Sequence, residues 1–492
     1  MSSPELSRAA IPTPTQPRLG GNMGVLSLIF TVMAFSAPAV AFLGFIPVAI
    51  ALGNGVGTPV AFLTCGIVVA LVAVGLTRMA RVLPNPGGFY AFISAGLGKT
   101  VGLGAGFAAI IIYYVACMST YALGGIAMRT IIVDLFEGPP VPWWAFAIPL
   151  WAIVAVLGYF KIEFSARVLT VFLGLELLLM AAYDVSVLLR GGADGLSWNS
   201  FQPSNIFSGS VAIAFMFGIG LYGGFEATII FRDEVRTPER TIPRATYAVV
   251  ALLAIMYSLT AWLFINSYGP VAVLDVVNAD PTAAATASIQ EYAGQFAYTM
   301  STVLLLTSAF ASSLAAHSFA ARYAFNLSAD GILHHSLSRV HKRHMSPYRA
   351  SLAISAATFV GLVPLVLAQI PDGIVYGRLS GVYTYTFLLL LLLVALAIVA
   401  YLVQHRQSEG SIIKPVAACG LASVILCVAL YLATVNFELI TGATGVFSIV
   451  LLLLIYGIIA AGMTMALIYR RKRPEVYARI GRDDAELMTT DT

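Results

Sequence analysis

The chain has 492 residues, of which 59% are hydrophobic and only 10% charged, with a mean hydropathy of +0.89. A water-soluble domain carries roughly a quarter charged residues, so these values exclude a soluble enzyme or binding module and require an integral membrane protein. The formal net charge of +4 is small for this length; no nucleic-acid partner is expected, and where the charges sit says more than their sum.

Residues 1–22 are polar and proline-bearing and lead into a span too long for a signal-peptide core, so they read as a disordered cytoplasmic tail. A bilayer core of about 30 Å takes roughly 20 apolar residues per helix. On that measure the chain predicts twelve spans: Met23 to Ile50, Pro59 to Leu76, Val101 to Met128, Trp143 to Phe160, Ala166 to Leu189, Gly209 to Phe231, Ala245 to Tyr268, Phe296 to Phe325, Ala350 to Ile370, Leu379 to Tyr401, Ile412 to Thr434, and Ala443 to Tyr469. With the N-terminus inside, only Arg129, Arg190 and Arg378 of the 27 Lys and Arg fall outside. That alternation fits the positive-inside rule in every loop, predicts both termini in the cytoplasm, and requires an even number of spans. The loop Gly269 to Gln295 is expected to carry a short outer helix, and residues 471–492 read as a cytoplasmic tail with no soluble domain appended. Cys65, Cys117, Cys419 and Cys427 all fall in apolar spans without metal-type spacing and are expected as core residues.

Two spans carry interruptions. In the first, Ser36-Ala37-Pro38-Ala39 places a proline near mid-depth, where it removes a backbone donor. In the sixth, Phe217 to Gly224 contains four glycines. A break at mid-bilayer frees N–H and C=O groups that hydrocarbon cannot satisfy, so it persists only against protein or a watered cavity. Two broken helices five spans apart are what an inverted five-plus-five repeat produces, with a solute site between the breaks. A simple kink at Pro38 and close packing at the glycines is the plainer reading.

The residues around the second break tip the balance. Gly224-Phe225-Glu226, followed by Asp233-Glu234-Val235-Arg236-Thr237-Pro238-Glu239-Arg240-Thr241-Ile242-Pro243-Arg244-Ala245, resembles a signature of the amino acid–polyamine–organocation permeases. Pro84-Asn85-Pro86-Gly87-Gly88-Phe89-Tyr90 resembles their loop after span two, and Ala321-Arg322-Tyr323 with Asp330-Gly331 and Ser346-Pro347 their segment after span eight. The likeness covers about Met23 to Tyr401; the last two spans match only in hydropathy. It implies an all-α, leucine-transporter-like fold, with repeats at about 23–189 and 209–401 inside a transporter domain of 23–470, and peripheral helices at 412–434 and 443–469. It also implies alternating access. Relatives often have a glycine- and serine-rich first break, and the Ser-Ala-Pro-Ala of this chain departs from that.

In such a site, half-helix N-termini offer N–H groups to a carboxylate, and C-terminal carbonyls suit an ammonium or a cation. The expected substrate contacts are Ser36, Ala37, Pro38, Ala39, Gly218, Ile219, Gly220 and Tyr222, with packing as the alternative for Tyr222. Intramembrane acids are costly and usually functional. Glu176 lies close to the midplane, and Ser165-Ala166-Arg167-Val168 aligns it where the resemblance places, in some relatives, a lysine standing in for a sodium ion. A proton-exchanging carboxylate follows, with a cation held by Ser308, Ser312 and Ser313 as the alternative. Glu226 is expected to influence gating or coupling, or else to pair with the basic inner loops. Asp184 is expected at the outer interface, solvated. Tyr113, Tyr114, Tyr383 and Tyr385 are candidate walls.

The functional expectation is a multi-pass cell-membrane permease importing amino acids, neutral ones or small amines, by proton symport. It has no cofactor or metal beyond the coupling ion, for which sodium is the alternative, and membrane lipids are its only other partners. The competing readings are an amino acid/amine exchanger, a channel or non-transporting receptor, and a membrane-embedded enzyme. The enzyme lacks support because His317, the one histidine in a span, has no HExxH context. His334, His335, His341 and His344, with Lys342 and Arg343 among them, suit a basic loop facing anionic headgroups better than a metal site.

Overall fold

The fold is taken from a computed structural model that describes residues 22–83, 87–139, 141–160, 166–341, 344, 346–406, 411–442 and 445–481. The expected tails at 1–21 and 482–492, the loop residues Pro84, Asn85 and Pro86, and Lys161, Ser165, Lys342 and Arg343 lie outside the described residues.

Regular structure among the described residues is helical, apart from one parallel bridge between Met23 and Val235. Among the described residues, ten helices are long and apolar enough to cross a membrane. Two further spans miss that measure for definable reasons: Trp144–Phe160 has 17 residues, and the sixth is split into Val211–Gly220 and Ala227–Ile230. With these two the ten become the expected twelve. The first and last described segments lie on one face, as an even number requires. There Met23 N–H donates to Glu234 O (2.8 Å), Lys99 Nζ to Ala478 O (2.6 Å), and Gly481 N–H to the Tyr90 hydroxyl (2.8 Å). This face carries most of the cationic residues and is called the basic face below; its opposite is the far face.

Both expected breaks are present. Val25–Ser36 stops because Ala37 adopts a left-handed backbone (φ 51°, ψ 78°), and Pro38 opens the next half-helix where its missing N–H costs no bond. The chain then widens into a π-turn, Ala41–Phe45, before Ile46–Leu52. In the sixth span Gly224 sits at φ 81°, and a Cβ there would meet the Phe35 ring at 2.6 Å. Only glycine lets the two breaks approach this closely. The third span, Lys99–Thr130, runs through the centre, with 72% of its apolar stretch buried, against 17% for Val446–Lys472 at the edge.

Four features differ from expectation. The segment after span two, expected as a loop at Pro84 to Tyr90, enters a buried helix, Gly88–Leu97, tucked between the third and tenth spans. The far-face connection holds two helical stretches, Ala272–Ala279 and residues 281–293, the latter separated from the eighth span by Gly294 at φ 86°. The tail expected after Tyr469 starts later, since the twelfth helix runs to Lys472 and Pro474–Arg479 forms a further helix docked on the basic face. Cys65, Cys117 and Cys419 are buried as expected, but Cys427 is exposed on the peripheral eleventh helix; all four are free thiols.

Close helix contact is steric at Gly96, where an added Cβ would overlap the backbone carbonyl of Ala397 on the tenth span, whereas at Gly174 it would meet no atom within 4 Å. Gly96→Val is expected to destabilise by about 1–3 kcal/mol, and Gly174→Ala to be neutral or slightly stabilising. Thermal unfolding of the detergent-solubilised protein checks both.

Candidate functional site

The two breaks face each other and are stitched across. Ser36 Oγ donates to Leu221 O (2.8 Å) and shares a 2.6 Å hydrogen bond with the Tyr257 hydroxyl of the seventh span. Ser312 Oγ, from the eighth span, donates to Phe35 O (2.9 Å), and Tyr383 Oη, from the tenth, donates to Gly220 O (3.1 Å). The carbonyls freed by the breaks are thus taken up by hydroxyls of neighbouring spans, the outcome that a low-dielectric interior demands. On the donor side, Ala39 N–H is held by Glu176 Oε2 (3.1 Å), which also accepts from Ser308 Oγ (2.8 Å). Glu176 is 2% exposed, so it clamps the N-terminus of the second half-helix from within the bundle. A carboxylate there complements the positive end of the helix dipole.

Between the breaks lies a cavity of about 50 Å³, walled by the first, third, sixth, eighth and tenth spans. Its lining includes Ser36, Ala37, Ser119, Thr120, Gly220, Ser312, Tyr376, Ser380 and Tyr383, and none of its lining residues is charged. Ser119 and Ser380 share a hydrogen bond (2.9 Å), while the Tyr376 hydroxyl has no protein partner. Toward the basic face an aromatic plug seals the cavity: Phe35 packs on Tyr113 and Phe319 with ring centroids 5.5 and 5.3 Å apart. Beneath it, fully buried Glu226 accepts the hydroxyls of Tyr113 and Tyr323 through Oε1, leaving Oε2 without a partner. Deeper still, Arg322 donates through Nε and Nη2 to Glu234 Oε1 (2.9 and 2.8 Å) with its guanidinium 3.9 Å from the Phe231 ring centre. Toward the far face, Phe45 meets Phe217 and Tyr376 at 5.9 and 6.2 Å.

The structure brings together some of the residues expected from sequence and not others. Ser36, Ala37, Gly220 and Ser312 line the cavity, and Pro38 lines a smaller void with Ala37, Glu176 and Ser308. Gly218 faces Phe62 and Cys65 on the second span, and the Tyr222 hydroxyl donates to Phe62 O (3.2 Å), so both pack away from the cavity; Ile219 is buried and Ala39 gives its N–H to Glu176. Ser313 is turned to Thr120 (2.9 Å). Of the candidate walls, Tyr383 lines the cavity and Tyr113 holds Glu226, while Tyr114 lies against Gly361 and Tyr385 bonds Thr434 and Tyr456. Glu226 takes tyrosine hydroxyls rather than the alternative pairing with basic loops. Asp184 overturns its reading as solvated: it is 8% exposed and bonded by Thr260 Oγ1 (2.9 Å). Tyr376, Tyr257 and the Arg322–Glu234 pair went unmarked, although both members of that pair sit inside the quoted motifs. His317 bonds Ser351 Oγ (2.9 Å) through Nε2 with Nδ1 unpartnered. No group of three or more His, Cys, Asp or Glu suited to a metal occurs among the described residues.

Two broken spans, tied to each other and closed by aromatic layers over a small uncharged cavity, define a multi-pass membrane protein of the broken-helix class. Residues 27–477 match the amino acid permease family, and the chain belongs to it. It is similar to the low-affinity putrescine importer PlaP of Escherichia coli, 22% identical over 62% of this chain and 66% of that protein, so the aligned region falls just short of two thirds of the relative's length. An uncharacterized transporter of Mycobacterium tuberculosis is 25% identical over 70% of this chain and 75% of its own. The human Asc-type amino acid transporter 1 is 22% identical over 60% and 56%. These relatives are transporters, which sets the membrane-enzyme reading aside.

The buried Arg322–Glu234 pair yields a direct test. Arg322→Met removes both guanidinium bonds to the buried Glu234 carboxylate and is expected to cost about 3–5 kcal/mol. Combining it with Glu234→Gln should recover part of that loss, as a double-mutant cycle on thermal unfolding would register.

Proposed function

We propose that this protein is a secondary active transporter that imports small neutral amino acids or small amines across the cell membrane, with its basic face in the cytoplasm, coupling uptake to protons by alternating access. The observation that carries this reading is the Glu176 carboxylate spanning from the fifth helix to Ala39 N–H in the first break and Ser308 on the eighth. In charged form Glu176 holds the second half-helix against the fifth and eighth spans. A proton on Oε2 removes its charge and takes one of the lone pairs now shared by Ala39 N–H and Ser308, which weakens the clamp, loosens the half-helix, and lets the cavity change the side on which it opens. Substrate binding between the same breaks favours one of the two arrangements, and that difference in affinity is what links the two fluxes.

The cavity supports a small substrate. At about 50 Å³ it has room for a few water-sized groups, and its uncharged lining suits a zwitterion or a monoamine better than a dication. Ser119, Ser380, Thr120 and the unpartnered Tyr376 hydroxyl supply polar contacts on the wall opposite the breaks. Glu226 and the Arg322–Glu234 pair act as the inner closure: a path to the cytoplasm requires the aromatic plug to part and the buried pair to rehydrate.

The test is uptake into proteoliposomes of radiolabelled amino acids, with putrescine as a separate substrate, under an inward proton gradient, an inward sodium gradient, or neither. Acid outside is expected to drive accumulation. Glu176→Gln is expected to reduce gradient-driven uptake by roughly 100-fold, the scale of a lost positioned proton carrier, while leaving exchange against preloaded substrate measurable. Uptake that ignores both gradients and requires internal substrate would make the protein an exchanger; dependence on sodium alone would make Glu176 and Ser308 cation ligands.

A further inference from the structure

Asp184 lies on the same helix as Glu176, eight residues on, or about 12 Å at 1.5 Å per residue. It is buried, yet it receives one hydrogen bond, from Thr260 Oγ1, and its Oδ1 has no partner. Thr260 belongs to a stripe on the seventh span, Tyr257, Thr260, Phe264 and Ser267, whose spacing of three and four residues places all four on one face. At the inner end of the stripe Tyr257 bonds Ser36 in the first break (2.6 Å). At its far end Ser267 shares a hydrogen bond with Ser288 on the helical residues 281–293 (2.7 Å), and Ser288 shares another with Tyr183, the neighbour of Asp184 (2.6 Å). Hydroxyl groups therefore stand at both ends of this face, the Ser267–Ser288–Tyr183 cluster toward the far face and Tyr257 at the first break, with Phe264 between Ser267 and Thr260 and with Asp184 held by Thr260 between the two ends.

The groups around Asp184 explain why it does not form a structural ion pair. Thr260 of the seventh span is its one hydrogen-bond partner, and Tyr183 beside it on its own helix bonds Ser288 of the far-face helix; Tyr257, Tyr268 and Tyr292 give their hydroxyls elsewhere, to Ser36, Ala284 O and Ser267 O. The cation of that region, Arg190, is engaged at the rim, where Nη1 donates to Glu291 O (2.7 Å) and the guanidinium lies 5.6 Å from the Tyr292 ring centre. An ionised carboxylate held by one neutral hydroxyl in an apolar bundle is costly, whereas a protonated carboxyl is not and has an O–H to donate. Intramembrane acids that lack a cation are commonly proton carriers.

We propose that Asp184 is a second proton-binding site, reached from the far face through the Tyr183–Ser288–Ser267 cluster, and that it supplies the proton that Glu176 uses at the first break. The inference rests on the proton-coupled reading above. The step is a plain transfer: an O–H bond forms at Asp184 Oδ1 as water at the rim gives up a proton, and that bond breaks as the proton passes inward to Glu176, returning Asp184 to its charged form.

The experiment has one arm independent of transport. Infrared difference spectra of the protein in liposomes, recorded as the medium is acidified, should contain two protonated-carboxyl bands. One should vanish in Asp184→Asn and the other in Glu176→Gln, and Thr260→Val, which removes the sole donor, should displace the Asp184 band. In the second arm, Asp184→Asn should lose about tenfold in gradient-driven accumulation of the same radiolabelled amino acids, with exchange against preloaded substrate within about twofold of native. An unaltered spectrum in Asp184→Asn, or native accumulation by that variant, overturns the proposal. If the native protein ignores the proton gradient, the coupling reading fails by itself, and loss of the Asp184 band then still identifies the proton site.

Discussion

Backbone groups cut loose in a place without water constrain this molecule more than anything else. Two helices stop halfway, and each stop releases carbonyls and amides that cost several kcal/mol apiece if left bare in hydrocarbon. The bundle answers with side chains from other spans: Ser36 to Leu221 O, Ser312 to Phe35 O, Tyr383 to Gly220 O, and Glu176 to Ala39 N–H. Three further spans, the fifth, eighth and tenth, are recruited to complete the two broken ones. The site is therefore a junction of elements, and any movement of one half-helix must exchange these partners for others, for water or for a ligand.

That arrangement also decides which residues act through backbone and which through side chains. Gly223 and Gly224 offer only backbone groups, the Gly223 N–H bonding Gly220 O and the Gly224 O accepting from Ala227; they make room for Tyr383 and Phe35, and a Cβ at either would collide with those side chains. The aromatic side chains then do two jobs, since Tyr383 satisfies a carbonyl and walls the cavity, while Tyr113 packs on Phe35 and holds Glu226. Closure toward the basic face is layered, with apolar rings first, a buried acid next, and an ion pair last.

Much of this was legible in the sequence. Apolar length gave the twelve crossings, and Pro38 with the glycines of the sixth span gave both breaks, because a proline's missing donor and a glycine's freedom are local properties. The depth of Glu176 followed from counting along one helix. What could not be read was which way side chains point once helices pack. Tyr222 and Gly218 sit in the broken segment yet face the second span, and Asp184, near the end of its helix by count, is covered by the seventh span and lies under the far-face helix. The Gly88–Leu97 helix was missed because hydropathy asks whether a segment crosses, and a ten-residue helix lodged beside other helices does not.

The docking of Gly481 bears on how the chain is assembled. Its N–H donates to the Tyr90 hydroxyl, which in turn donates to Asp330 Oδ2 (2.8 Å), and its positive φ of 72° with Ser94 pressed against it leaves no room for a side chain. Tyr90 precedes the third span and Asp330 follows the eighth, so the two halves of this seat are synthesised long before the residue that occupies it. The contact can form only once the twelfth helix has crossed and the chain has turned back at Pro474–Arg479. Contact between Gly481 and Tyr90 thus requires an even number of crossings between them, so one hydrogen bond at the rim ties the end of the twelfth helix to the segment before the third, far from the cavity between the breaks.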